Sequence, residues 1–171
     1  MRFVAIIILS GGCIFAGYYI SERGKKKIRF FQEWKRVFML LKGEVRYGMT
    51  PIGDACIHVS KKVGSPFKDF LVFIEEKVKK REKNGFGGIW EEAMLRFLPQ
   101  YYFEPNEWEQ MIAVGKNIGY LDETMQMRTF DLLIEQIEEM LANAKIRQER
   151  DGKVYQTLGI GMGVLFAIVL V

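Results

Sequence analysis

The chain has 171 residues, 49% of them apolar, with 25 Lys and Arg against 21 Asp and Glu for a net charge of +4. That length holds one ordinary domain, and so small a positive excess does not indicate a nucleic-acid binder. Two cysteines and one histidine supply neither a disulfide framework nor a transition-metal site, so no metal and no cofactor is expected.

All the charged residues except Arg2 lie between two uncharged runs, Phe3 to Ile20 and Val154 to Val171. At about 1.5 Å per residue each run makes roughly 27 Å of helix, close to the ~30 Å hydrocarbon core, and both read as transmembrane helices. Arg23, Lys25, Lys26, Lys27, Arg29, Lys35 and Arg36 follow the first run, and Lys145, Arg147, Arg150 and Lys153 precede the second. Basic flanks stay on the cytoplasmic side, so the middle segment is expected in the cytoplasm and both termini across the cell membrane. An alternative is an extracytoplasmic lipoprotein or assembly factor processed at Cys13, because Leu9-Ser10-Gly11-Gly12-Cys13 is similar to a lipoprotein processing site.

Beyond the first run, Ile28, Phe31, Trp34, Val37, Phe38, Leu41 and Val45 recur at helical spacing, and Gly48 offers a C-terminal stop. Thr50-Pro51 and Ser65-Pro66 each pair a capping hydroxyl with a proline suited to a first helical turn. The first opens a helix through Ile52, Ala55, Cys56, Val59 and Val63 to Gly64, the second a helix through Phe67, Phe70, Leu71, Ile74 and Val78 to Asn84-Gly85. Gly85-Phe86-Gly87-Gly88 reads as a flexible link, followed by short helices around Trp90, Met94 and Phe97 and around Trp108, Met111 and Ile112, the latter running toward Gly119. Asp122 is placed to cap the longest helix, with an inner stripe of Met125, Thr129, Leu132, Leu133, Gln136, Met140 and Ala144.

The expected class is all-α: a cytoplasmic antiparallel bundle of about six helices over residues 22–153, with a transmembrane helix at each end, over 1–21 and 154–171. Gly12 and Ala16 on one span, and Gly159 and Gly163 on the other, form small-residue strips that allow close packing of the spans or of neighbouring subunits in a homo-oligomer. The glycine string 159–163 follows no strand and is not a phosphate cradle. Glu75-Glu76, Glu91-Glu92 and Glu138-Glu139 splay apart on helices and read as solvated faces. His58 has no metal partner, and no stretch unites a nucleophile, a base and an orienting group, so no catalytic residue is expected.

Two stretches carry a resemblance. Glu44-Val45-Arg46-Tyr47-Gly48-Met49-Thr50-Pro51-Ile52 and Val114-Gly115-Lys116-Asn117-Ile118-Gly119-Tyr120-Leu121-Asp122, followed by Ala55 and Gln126 respectively, resemble the two signatures of the stage III sporulation protein AB family. That family also has an anchor at each end. More distantly, residues 115–122 are similar to a stretch of type II secretion F and type IV pilus platform proteins, although Lys116 stands where those proteins carry an acidic residue. The resemblance implies a non-enzymatic platform in the mother-cell membrane around the forespore, with its helical domain facing the mother-cell cytoplasm. The implied partners are a secretion-type hexameric ATPase, other membrane channel subunits and the lipid bilayer.

Within the signatures, Gly48, Thr50, Pro51, Gly115, Gly119 and Asp122 are expected to mark tight corners between helices. Glu44, Tyr47 and Gln126 project from those corners either to meet a partner or to brace the turn.

Overall fold

A computed structural model describes the backbone of residues 2–81, 85–118 and 123–170, and side chains within 22–81, 85–115, 118 and 124–150. The elements are α1 (Arg2–Gly48), α2 (Ile52–Ser60), α3 (Phe67–Lys79), α4 (Gly85–Phe97), a 3-10 turn (Gln100–Tyr102), α5 (Pro105–Ile118) and α6 (Glu123–Leu170). No strand occurs among the described residues. The chain divides into two compact units, Phe31–Met140 and a second made of Met1–Phe30 with Leu141–Val171.

Among the described residues no helix is long and apolar enough to cross a membrane. The two runs expected to span, with Gly12, Cys13, Ala16, Gly159 and Gly163, lie outside the described side chains.

In the unit Phe31–Met140 the first helix buries the face its spacing predicts. Phe31, Trp34, Phe38, Leu41 and Val45 alternate steps of three and four residues and are all buried, the pattern that keeps one seam toward a partner helix. Phe130, Leu133, Ile137 and Met140 of α6 answer with the same alternation. Lys35 pairs with Glu138 at 2.5 Å and Lys42 with Asp131, so seven steps up α1 are seven steps down α6 and the two helices run antiparallel. The stripe expected on α6 is rotated by one residue at its start: Met125 and Leu132 are exposed, while Phe130 and Ile137 take the core positions.

An aromatic cluster joins α1, α3 and α4. The Trp34 ring stacks on Phe67 at 5.1 Å and meets Phe38 and Phe70 edge-on at 4.8 and 5.3 Å. Phe70 in turn meets Trp90 edge-on at 5.0 Å. This burial explains why the glycine-rich stretch 85–88 becomes the first turn of α4 instead of a link: Gly87, Ile89 and Trp90 are buried, and packing of that face outweighs the ~1 kcal/mol per residue that glycine costs a helix.

Several local expectations fail for identifiable reasons. Ser65 does not cap α3: Pro66 is the residue directly before the helix, and the Ser65 hydroxyl donates to the Asp69 carboxylate at 2.6 Å. Helix α2 ends at Ser60, short of Gly64, and α3 ends at Lys79, short of Asn84-Gly85, with positive φ at both Arg81 (49°) and Gly85 (62°). Helix α5 starts with a device not expected from the sequence: Pro105 occupies the first turn and the Glu107 carboxylate accepts the Glu104 amide at 2.8 Å, half of a capping box. Glu75 is buried rather than solvated, and pairs with Lys79 one turn on. Burial, reinforced by the Glu75 charge, pushes the Cys56 thiol up to about 12, so the side chain packs as a small hydrophobe and not as a nucleophile.

Gly115 lies inside α5 rather than at a corner, and its place is set by Trp90. A Cβ at this position would lie 1.8 Å from the Trp90 Cδ1 and 2.0 Å from Cγ. The indole Nε1 donates to the Met111 carbonyl, one turn before, at 3.0 Å. Gly115→Ala would gain ~1 kcal/mol of helix propensity but must displace a buried tryptophan, whose loss costs ~3–5 kcal/mol on the scale of core truncations. The full chain in mild detergent, melted with Trp fluorescence as the readout, should lose about 2 kcal/mol or more in this variant. A neutral or stabilising effect would contradict the packing role.

Candidate functional site

The first signature forms the corner between α1 and α2. The positive φ that stops α1 belongs to Met49 (47°), not to Gly48. Glycine at 48 provides room instead, since a Cβ there would lie 2.8 Å from the Thr50 Oγ1. The Thr50 hydroxyl points backward, donating to the Gly48 carbonyl at 3.2 Å, and its amide donates to the Glu44 carbonyl at 3.3 Å. Thr50 therefore closes α1 and does not cap α2. Pro51, with φ −53° and ψ 145°, is the residue before α2 rather than its first turn, and its carbonyl accepts the Ala55 amide at 2.9 Å.

The Glu44 side chain braces this corner. Its carboxylate accepts the Lys62 ammonium at 2.7 Å and lies 3.1 Å from the His58 Nδ1, tying α1 to α2 and to the turn beyond it. The Lys62 hydrogen bond, followed by the one to His58, holds the Glu44 carboxyl below its ordinary value of 4.5. Tyr47 is different: 80% exposed, with the Arg46 guanidinium 5.3 Å from its ring centre, and neighbouring Met49 is 85% exposed.

The second signature leads from α5 toward α6. Gln126 donates through Nε2 to the Ile118 carbonyl at 3.0 Å, satisfying an acceptor at the end of α5 that the helix itself leaves open. Lys116 and Asn117 have no described side chains, and Gly119 and Asp122 lie outside the described residues. The antiparallel register brings both signatures to one end of the Phe31–Met140 unit: Tyr47 is five residues past Lys42, and Gln126 five before its partner Asp131.

Of the three residues expected to meet a partner or brace a turn, two brace and Tyr47 projects. Met49 joins it, a residue that sequence reasoning did not select. Its exposure follows from the left-handed backbone at 49, which hydropathy does not encode.

Comparison with known proteins bears on this arrangement. The family model described as Stage III sporulation protein AB matches residues 2–171. The chain is 18% identical over 170 residues to Stage III sporulation protein AB of Bacillus subtilis (strain 168), covering 99% of each chain. A solved structure of Stage III sporulation protein AB (SpoIIIAB) superposes with a TM-score of 0.63 at 20% identity, covering 73% of this chain and 98% of that one.

The lowered Glu44 pKa fixes the sign of a pH dependence. A carboxyl whose folded value is depressed contributes stability above its unfolded value and loses it as pH falls through the folded one. Glu44→Gln should thus be less stable than the parent at neutral pH, by under ~1 kcal/mol for a partly exposed pair. The gap should close on acidification through the carboxylate range. Parallel thermal melts across that range check it, and a gap independent of pH would show that the charge of Glu44 does not brace the corner.

Proposed function

Because the chain belongs to the stage III sporulation protein AB family, a family of sporulation proteins, we propose that it is a non-enzymatic membrane platform of the channel between mother cell and forespore. Residues 3–20 and 154–171 anchor it in the mother-cell membrane around the forespore, and the helical bundle faces the mother-cell cytoplasm. The bundle receives a secretion-type hexameric ATPase and relays its position or motion to channel subunits in the membrane.

The observation that carries this reading is the exposed pair Tyr47 and Met49 on a corner whose backbone is fixed from within, by Glu44, Gly48 and Thr50. Exposed aromatic and methionine side chains on a rigid support suit a docking point, since such residues dominate binding energy and a fixed backbone loses little entropy on association. The uncharged runs flanked by basic residues support the anchoring.

The double variant Tyr47→Ala and Met49→Ala should accumulate normally and melt within ~0.5 kcal/mol of the parent, as exposed substitutions do. It should nonetheless reduce spore formation in sporulating cells and remove crosslinks between the bundle and the ATPase. Normal sporulation with unchanged crosslinks would place the working surface elsewhere. Orientation is tested separately with Lys61→Cys, an exposed site, in a chain carrying Cys13→Ser and Cys56→Ala. A membrane-impermeant thiol reagent should label it only after the cells are permeabilised, and labelling of intact cells would reverse the topology.

A further inference from the structure

Positive charge is concentrated in the unit made of the two terminal segments. Within residues 22–30 and 141–150 there are eight basic residues and two acidic ones, a local +6 in a chain of net charge +4, so the rest of the sequence sums to −2. Two helices contribute. Arg23, Lys25, Lys26, Lys27 and Arg29 come from α1, and Lys145, Arg147 and Arg150 from α6; all are exposed except Lys27, which is half-buried.

The two basic stretches flank one contact. A Cβ built on Gly24 would lie 3.1 Å from the Gln148 Cγ, so the α1 backbone approaches α6 closely at that point and the like charges of both helices crowd around it. Glu22, 3.6 Å from the Lys25 ammonium, and Glu149 are the two acidic residues among them. Orientation in a membrane accounts for basic residues beside each span, but not for the close approach of the two stretches at Gly24 and Gln148.

We propose that this two-helix collar is a binding site for anionic phospholipid headgroups. The proposal rests on the reading that residues 3–20 and 154–171 lie in the bilayer, which places the collar at and just beyond headgroup level, within ~15 Å of the hydrocarbon boundary. Phosphate oxygens there accept the fan of donors that lysine and arginine present, and clusters of four to eight such residues beside a span match anionic lipid surfaces. Bound phosphates would relieve the repulsion between the two stretches and so draw α1 and α6 together around Gly24 and Gln148.

The test uses the full chain in mild detergent, titrated with phosphatidylglycerol or phosphatidylcholine and read by native mass spectrometry. The parent should retain phosphatidylglycerol in preference to phosphatidylcholine. Lys26→Gln, Arg29→Gln and Lys145→Gln combined should weaken that preference at least about tenfold, given the contribution of each basic residue near an anionic surface. Equal retention of both lipids by the parent, or an undiminished preference in the triple variant, overturns the proposal.

Anchoring is read apart from this, by alkaline carbonate extraction of the chain from vesicles of phosphatidylcholine alone and of an equimolar mixture with phosphatidylglycerol. Resistance to extraction from both, together with loss of the lipid preference in the triple variant, supports the collar and the anchors alike. Resistance with no lipid preference overturns the collar alone. Extraction from both overturns the anchors on which the collar depends.

Discussion

The contact between Trp90 and Gly115 sets how closely α5 can approach α4. The indole occupies the volume a side chain at 115 would need, and its one N–H is satisfied by the Met111 carbonyl. A buried indole without that acceptor would cost ~1–3 kcal/mol. The same ring is part of the cluster with Phe70 and Trp34, so the approach of α5 to α4 and the seating of α3 and α4 against α1 are one packing problem. Close-packed interiors transmit such displacements, and a change at Gly115 would be felt at Trp34.

Much of this was legible in the sequence, and what was not has physical causes. The stripe Phe31, Trp34, Phe38, Leu41, Val45 could be read directly because large aromatics at three- and four-residue steps have only one place to go. On α6 two neighbouring lines share that spacing, one starting at Met125 and one at Phe130. The first passes through the polar Thr129 and Gln136 and the second is apolar throughout, and it is the second that meets α1, with Phe38 facing Phe130 at 6.3 Å. At Gly115 the sequence does not distinguish a stop from a close approach, since glycine marks both and nothing local to residue 115 reveals that Trp90 lies against it. The hydroxyls of Thr50 and Ser65 donate to the Gly48 carbonyl and the Asp69 carboxylate and accept no helix amide, an arrangement that spacing does not decide.

Several polar side chains of the bundle brace its corners. Glu44 is engaged by Lys62 and His58, Gln126 by the Ile118 carbonyl, and Glu75 by Lys79 in the shelter of α2 and α3. Lys79 responds in kind, its pKa raised by the hydrogen bond to Glu75 and then by that residue's charge. The corner of α1 and α2 therefore shows solvent an apolar Met49 and the ring of Tyr47 alongside the exposed Arg46, His58 and Lys62.

Met49 carries the cost of that display. At a φ of 47° its side chain crowds the following carbonyl oxygen, a conformation that disfavours a non-glycine residue by roughly 1–2 kcal/mol. With 85% of its surface in water, it recovers little of that by burial. A glycine or an asparagine would relieve the strain and leave the turn unchanged in path, at the sacrifice of the thioether it holds out. The isolated bundle is thus not the sequence of greatest stability for its own fold, and the strain at this corner lies in a side chain that it holds outward.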